Sequence, residues 1–185
     1  MTAPARRSLP ILALGGLLKA AKGDGSVSKT VAVILDDDHW FWAYDVSLAI
    51  LAVEVKQIID SGAFSREPWV DGLLEGLGEA VRVQGTFGLQ VPTDMTELQL
   101  EQFQALFTET AQRLRTRGNI SADQAARDYV FDGHPVFLRG TSTIDPAPVA
   151  SLADAIVDLV RGELPPTPPG TTAWLFGWDD TPSAL

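Results

Sequence analysis

Val31-Ala32-Val33-Ile34-Leu35-Asp36-Asp37-Asp38-His39-Trp40-Phe41-Trp42-Ala43-Tyr44-Asp45 is the stretch on which the fold turns. It opens on an apolar, largely β-branched run. Such a run suits a buried strand, and equally the first turns of a longer helix. From Trp40 to Asp60 the period is clearer: Phe41, Tyr44, Leu48, Leu51, Val55, Ile58 and Ile59 recur three and four residues apart. Val46, Ile50 and Val53 make the opposite side apolar too. A helix that is hydrophobic nearly all round belongs at the centre of a domain.

Outward from this segment the chain reads as further helices. Pro68 opens one that runs to about Arg82, with Leu73, Leu74, Leu77 and Val81 inward. Its Gly72, Gly76 and Gly78 suggest a neighbouring helix at close range. Asp94-x-x-Glu97 resembles a capping box before Leu98–Leu114, and Ser121-x-x-Gln124 another before a short helix. Asp145-Pro146 starts a helix that Gly162 ends. Towards the N-terminus, Leu9–Ala21 reads as a short helix stopped by Gly23-Asp24-Gly25-Ser26. Arg6-Arg7 before Leu9–Leu18 imitates a twin-arginine export signal, but Pro10 and Gly15-Gly16 interrupt the run and Lys19 and Lys22 follow it.

The expectation is therefore a mainly α, all-helical domain. It would be a single compact bundle of five or six helices around a buried central helix at about 40–60, with at most two short strands. Residues 1–163 would form that domain. Residues 164–185 would form a Pro-rich spacer and an aromatic C-terminal tail, docked on the core or on a partner.

Composition narrows the function. The formal net charge of −10 works against a phosphate backbone or an anionic membrane, since binding either needs Lys and Arg. No nucleic-acid or membrane partner is expected, and no stretch reaches the roughly 20 apolar residues of a membrane span. Absence of cysteine excludes thiolate chemistry and fits the reducing cytoplasm. Abundant Ala, Gly, Pro, Asp and Arg beside scarce Lys point to a GC-rich bacterial genome.

The acidic and aromatic run is the candidate site. One of Asp36, Asp37 and Asp38 would cap the helix expected from Trp40, and the others would gain from its dipole. The surplus suggests chemistry. Asp37 or Asp38 would act as general base, with the His39 imidazole passing on the proton. Trp40, Trp42 and Tyr44 offer ring faces, and Asp45 and His134 offer polar groups that orient a substrate. Rings beside carboxylates suit ammonium or guanidinium groups. No cofactor is expected; a divalent metal would require His39, a flanking Asp and the distant His134 to converge.

Two short motifs resemble known families. Asp37-Asp38-His39-Trp40-Phe41 resembles the aspartate-rich motif of bacterial terpene synthases, and Asp128-Tyr129-Val130-Phe131-Asp132 has the spacing of the squalene-synthase type. That resemblance implies magnesium diphosphate held between long helices, although the chain is shorter than such a domain and has no second Asn/Ser/Glu metal motif. Val31–Asp38 is similar to the first motif of haloacid-dehalogenase-type phosphatases, a strand followed by Asp-x-Asp. Trp40 stands where that family has Thr or Val.

The reading is a small bacterial enzyme or binding protein whose acidic and aromatic pocket, at the start of the central helix, takes a cationic or polar small molecule. The alternative is a non-catalytic subunit. It would join a homo-oligomer, or a larger catalytic partner in a hetero-complex, through Trp174, Phe176 and Trp178.

Overall fold

A computed structural model describes residues 29–179 and 181–185. The helix read at Leu9–Ala21, and the Arg6-Arg7 pair before Leu9–Leu18 that imitates an export signal, lie outside the described residues. Thr30–Ile34 forms strand β1 and Trp40–Tyr44 forms β2, an antiparallel hairpin in which Ile34 faces Trp40 and Thr30 faces Tyr44. Helix α1 then covers Asp45–Asp60. The helix expected from Trp40 thus begins five residues late.

The reason is physical. In Trp40-Phe41-Trp42-Ala43-Tyr44 both faces of the strand are apolar, so the alternation that marks a strand is hidden. The helical spacing of α1 runs smoothly into it. Aromatic residues pack well on a pleated surface, and paired to a β-branched neighbour they become a strand.

After α1 come α2 (Pro68–Arg82), β3 (Leu89–Gln90), α3 (Glu97–Thr116), β4 (Ile120–Ser121), α4 (Ala122–Asp128), β5 (Val130–Phe131) and β6 (His134–Pro135). Then follow β7 (Thr143–Ile144), α5 (Pro146–Arg161), β8 (Trp174–Phe176) and β9 (Ser183–Ala184). One five-stranded sheet has the order β3-β1-β2-β8-β9, and β4–β7 and β5–β6 form two-stranded ribbons. β3 runs parallel to β1 and β8 parallel to β2. The fold is α/β. The mainly α bundle with at most two short strands, and the all-α class with it, is overturned by this mixed sheet.

The helices lie against one face of the sheet. Val31, Val33, Phe41, Ala43, Leu89 and Phe176 point into a core shared with α1, α2, α3 and α5. Thirteen of the sixteen residues of α1 are buried. Gly76 and Gly78 of α2 do meet close neighbours, but these are Leu89 of β3 and Phe131 of β5 rather than another helix.

Several helix ends follow local chemistry. Ser121 caps α4 and Asp145 caps α5, and Gly162 closes α5 in the left-handed conformation at φ 68°. The capping box of α3 is Thr96 with Gln99, two residues beyond the Asp94–Glu97 pair that the spacing suggested. Among the described residues no helix is long and apolar enough to cross a membrane.

Candidate functional site

The strand divides the sequence-predicted residues into three places. Asp36, Asp37, Asp38 and His39 form the exposed tip of the β1–β2 hairpin. Asp36 organises it: its Oδ1 accepts from the backbone N–H groups of Asp38 and His39, each at 2.9 Å, and its carboxylate holds His39 Nδ1 at 2.8 Å. Those contacts, the Asp38 N–H first and the His39 ring second, hold its carboxyl below the usual range. The acidic triplet therefore closes a turn and caps no helix. Asp37, Asp38 and His39 stand in solvent. The segment resembling the terpene-synthase motif lies on this tip and on β2, not between long helices. The segment resembling the phosphatase motif follows a strand, but its Asp36-x-Asp38 is the hairpin turn itself.

Trp40 and Trp42 point to one face of β2 and touch edge to face, ring centres 5.4 Å apart. That face is the one turned away from the helices. His134 is exposed on β6, beside α2 and α4. Among the described residues no group of three or more His, Asp and Glu side chains could hold a metal ion.

Tyr44 and Asp45 lie at the other end of β2, about 13 Å along the strand from Trp40. Here the parallel strands β2 and β8 both end, and α1 and α5 both begin. A cavity of about 250 Å³ opens between them, lined by Tyr44, Ser47, Thr141, Thr143, Ile144, Asp145, Pro148, Gly177, Trp178 and Asp179. Crevices beyond the carboxyl ends of parallel strands are the usual ligand sites of open α/β sheets.

The walls are fixed by specific contacts. Ser47 donates its hydroxyl to the Gly177 carbonyl at 2.5 Å. Gly177 takes φ 84°, and a Cβ there would press on Ser47, so only glycine brings the turn after β8 against α1. The Tyr44 and Trp178 rings meet edge to face at 4.8 Å. Burial, and then the Asp45 charge, push the Tyr44 phenol up to about 12. Asp145 caps α5 through Oδ1, which accepts from the Ala147 N–H at 2.9 Å.

Behind this cavity lies a buried ion pair. Asp45 is 1% exposed and Arg139 16%, and Arg139 Nε and Nη2 both reach Asp45 Oδ2 at 2.7 Å. Arg139 Nη2 also donates to the Gln84 carbonyl at 3.0 Å. Arg139 adopts φ 50°, a left-handed conformation that costs on the order of 1 kcal/mol or more in a residue with a Cβ. The fork it makes on Asp45 and Gln84 holds it there. Asp45 Oδ1 is buried with no hydrogen-bond partner among the described residues. Burial raises the Asp45 carboxyl above its ordinary range, and Arg139 only partly offsets this.

Sequence reasoning missed Glu54. It is fully buried on α1, where its carboxylate takes the Tyr129 hydroxyl at 2.7 Å and Arg117 Nε at 2.8 Å. The signal was a lone carboxylate inside the otherwise apolar run Val46–Val55, apart from Ser47. Each oxygen is satisfied, so the cluster ties α1 to the ends of α3 and α4. Arg139 carried no sequence signal beyond a polar loop; its partner is 94 residues away.

Comparison with protein families, with curated proteins and with solved structures finds no match. The site is read from its own chemistry.

Proposed function

We propose that the protein binds a small cationic molecule, an amine or guanidine, in the cavity at the start of α1. The observation that carries this reading is the pairing in one cavity of two aromatic rings, Tyr44 and Trp178, with two carboxylates, Asp145 and Asp179. Ring faces and carboxylates together attract a desolvated cation. At about 250 Å³ the cavity falls below the roughly 300–1,000 Å³ of drug-sized ligands, so the ligand is small. Binding is favoured over proton transfer because a general acid or base works best with a pKa near ambient pH. Tyr44 keeps its proton to about 12, and His39 stands at the far end of β2. The cytoplasm remains the compartment proposed.

The non-catalytic subunit has less support. Trp174 and Phe176 pair within the protein's own sheet, and of the tail aromatics only Trp178 is well exposed.

Calorimetry against putrescine, agmatine and choline, with acetate and glycerol as controls, tests the proposal. The cations should bind, and Trp178→Ala should weaken them by about tenfold, the size of one cation–π contact. Equal binding of the controls, or cation binding indifferent to Trp178→Ala and Asp145→Asn, would sink it.

A further inference from the structure

The turn Leu138–Thr141 carries an arginine where its backbone has no use for one. Arg139 takes φ 50° and Gly140 φ 86°, and the Thr141 N–H donates to the Leu138 carbonyl at 3.1 Å. Two successive positive φ values mark a type I′ turn, whose first place favours Asn, Asp or Gly. The chain makes the same turn between β5 and β6, and there Asp132 at φ 46° and Gly133 at φ 86° keep to that preference. Arg139 departs from it. A strained residue persists where its surroundings hold it, and such residues cluster at functional sites.

We propose that Arg139 is a positioning residue for the cavity at the start of α1, setting the wall that Thr141 and Thr143 present to the ligand. This role rests on the cation-binding reading above. The wall is anchored differently at its two ends. At one end Thr143 pairs with Ser121 in the β4–β7 ribbon, and the Ser142 carbonyl accepts from the Ala122 N–H at 2.9 Å. At the other end lies the turn. Among the described residues, every hydrogen bond from Phe137–Thr141 to another part of the chain runs through Arg139 or Gln84.

Arg139 forks onto Asp45 and the Gln84 carbonyl. The Gln84 side chain closes the link from its own side: Oε1 accepts from the Phe137 N–H at 2.9 Å, and Nε2 donates to the Phe137 carbonyl at 3.1 Å. Asp45 opens α1 between Tyr44 and Ser47, which line the same cavity. One guanidinium thus fixes the turn to the β2–α1 junction. Space is kept for it: Gly85 takes φ 76°, and a Cβ there would come within 2.8 Å of Arg139 Nη2 and 3.0 Å of Asp45 Oδ2. A buried ion pair adds little net stability, because desolvating two charges offsets their attraction. The left-handed backbone subtracts further. What the pair supplies is a fixed geometry, and it supplies it to the cavity wall.

Arg139→Gly combined with Asp45→Asn tests this role in the full-length chain. Glycine suits the turn, and both charges leave together, so a change in binding reports position rather than net charge. The double variant should melt within about 5 °C of the wild type, the shift expected for a small change in stability. Calorimetry with agmatine should give an affinity about tenfold weaker, as for a wall correctly set in roughly one molecule in ten. Arg139→Lys keeps the charge beside Asp45 but lacks the planar fork that spans Asp45 and the Gln84 carbonyl. It should keep the melting temperature and still bind agmatine more weakly. A purely structural ion pair would instead leave affinity unchanged wherever the fold is retained. Wild-type affinity for agmatine in either folded variant would overturn the role of Arg139 and leave the cation-binding reading standing. No agmatine binding by the wild type would overturn that reading, and this role with it.

Discussion

Glu54 and Tyr44 show how much one side chain can depend on its surroundings. Glu54 is fully buried, and Arg117 and Tyr129 complete its hydrogen bonds. Glu54→Ala leaves a hydroxyl and a guanidinium without their partner, and removing half of such a pair costs roughly 3 kcal/mol. Urea denaturation should show that loss, whereas replacing all three residues by apolar ones of similar volume should cost much less. The two tyrosines of the chain give a second expectation. Burial raises Tyr44 to about 12 and raises Tyr129 further, with Glu54 adding to the latter. A phenol whose folded pKa exceeds its unfolded value stabilises the fold fully below pH 10, and that contribution is lost as pH rises through the folded pKa. Ultraviolet titration of the native protein should therefore show no phenolate step near pH 10. A step there would contradict the burial of both rings.

At the level of elements, β3 depends on one glycine. Gly88 lies so close to the backbone of Ala32 that a Cβ would land on its carbonyl. Gly88→Ala should push β3 off β1 and destabilise the protein by at least about 2 kcal/mol, as overpacking does. Hydrogen exchange at Val91, whose N–H donates to the Ile34 carbonyl, should quicken in that variant. Elements whose ends carry their own chemistry were legible from sequence: Pro68 at the start of α2, Ser121 and Asp145 as caps, and Gly162 as a stop. β2 was not, because Phe41 and Tyr44 fit the three-and-four spacing of α1 and both faces of the strand are apolar. β8 and β3 were hidden for another reason. Two or three residues hold too little pattern, and they become strands only because β2 and β1 lie beside them.

Across the whole molecule, β8 decides whether the domain closes. It pairs with β2 and supplies Phe176, which meets Phe41 edge to face at 4.9 Å in the core. A chain ended after Leu164 loses that strand, together with Gly177 and Trp178 of the cavity. It should lose cooperative thermal unfolding; a sharp transition near that of the full chain would show that the tail is dispensable. The candidate site is split in the same way between sequence and structure. The sequence marked Tyr44 and Asp45 because carboxylates and rings cluster there, and it joined them to Asp37, Asp38 and His39 through a helix that does not form. A rise of about 3.3 Å per residue in a strand, against 1.5 Å in a helix, sends the two groups to opposite ends of β2. By itself the sequence determined which segments are apolar, where most helices begin and stop, and that acid and aromatic groups crowd the approach to α1. Only the tertiary structure decided that Trp40–Tyr44 is a strand, that Trp178 closes on Tyr44, and that Arg139 reaches Asp45. Each of these rests on partners far along the chain, and pairing energy between distant segments leaves no local periodicity to read.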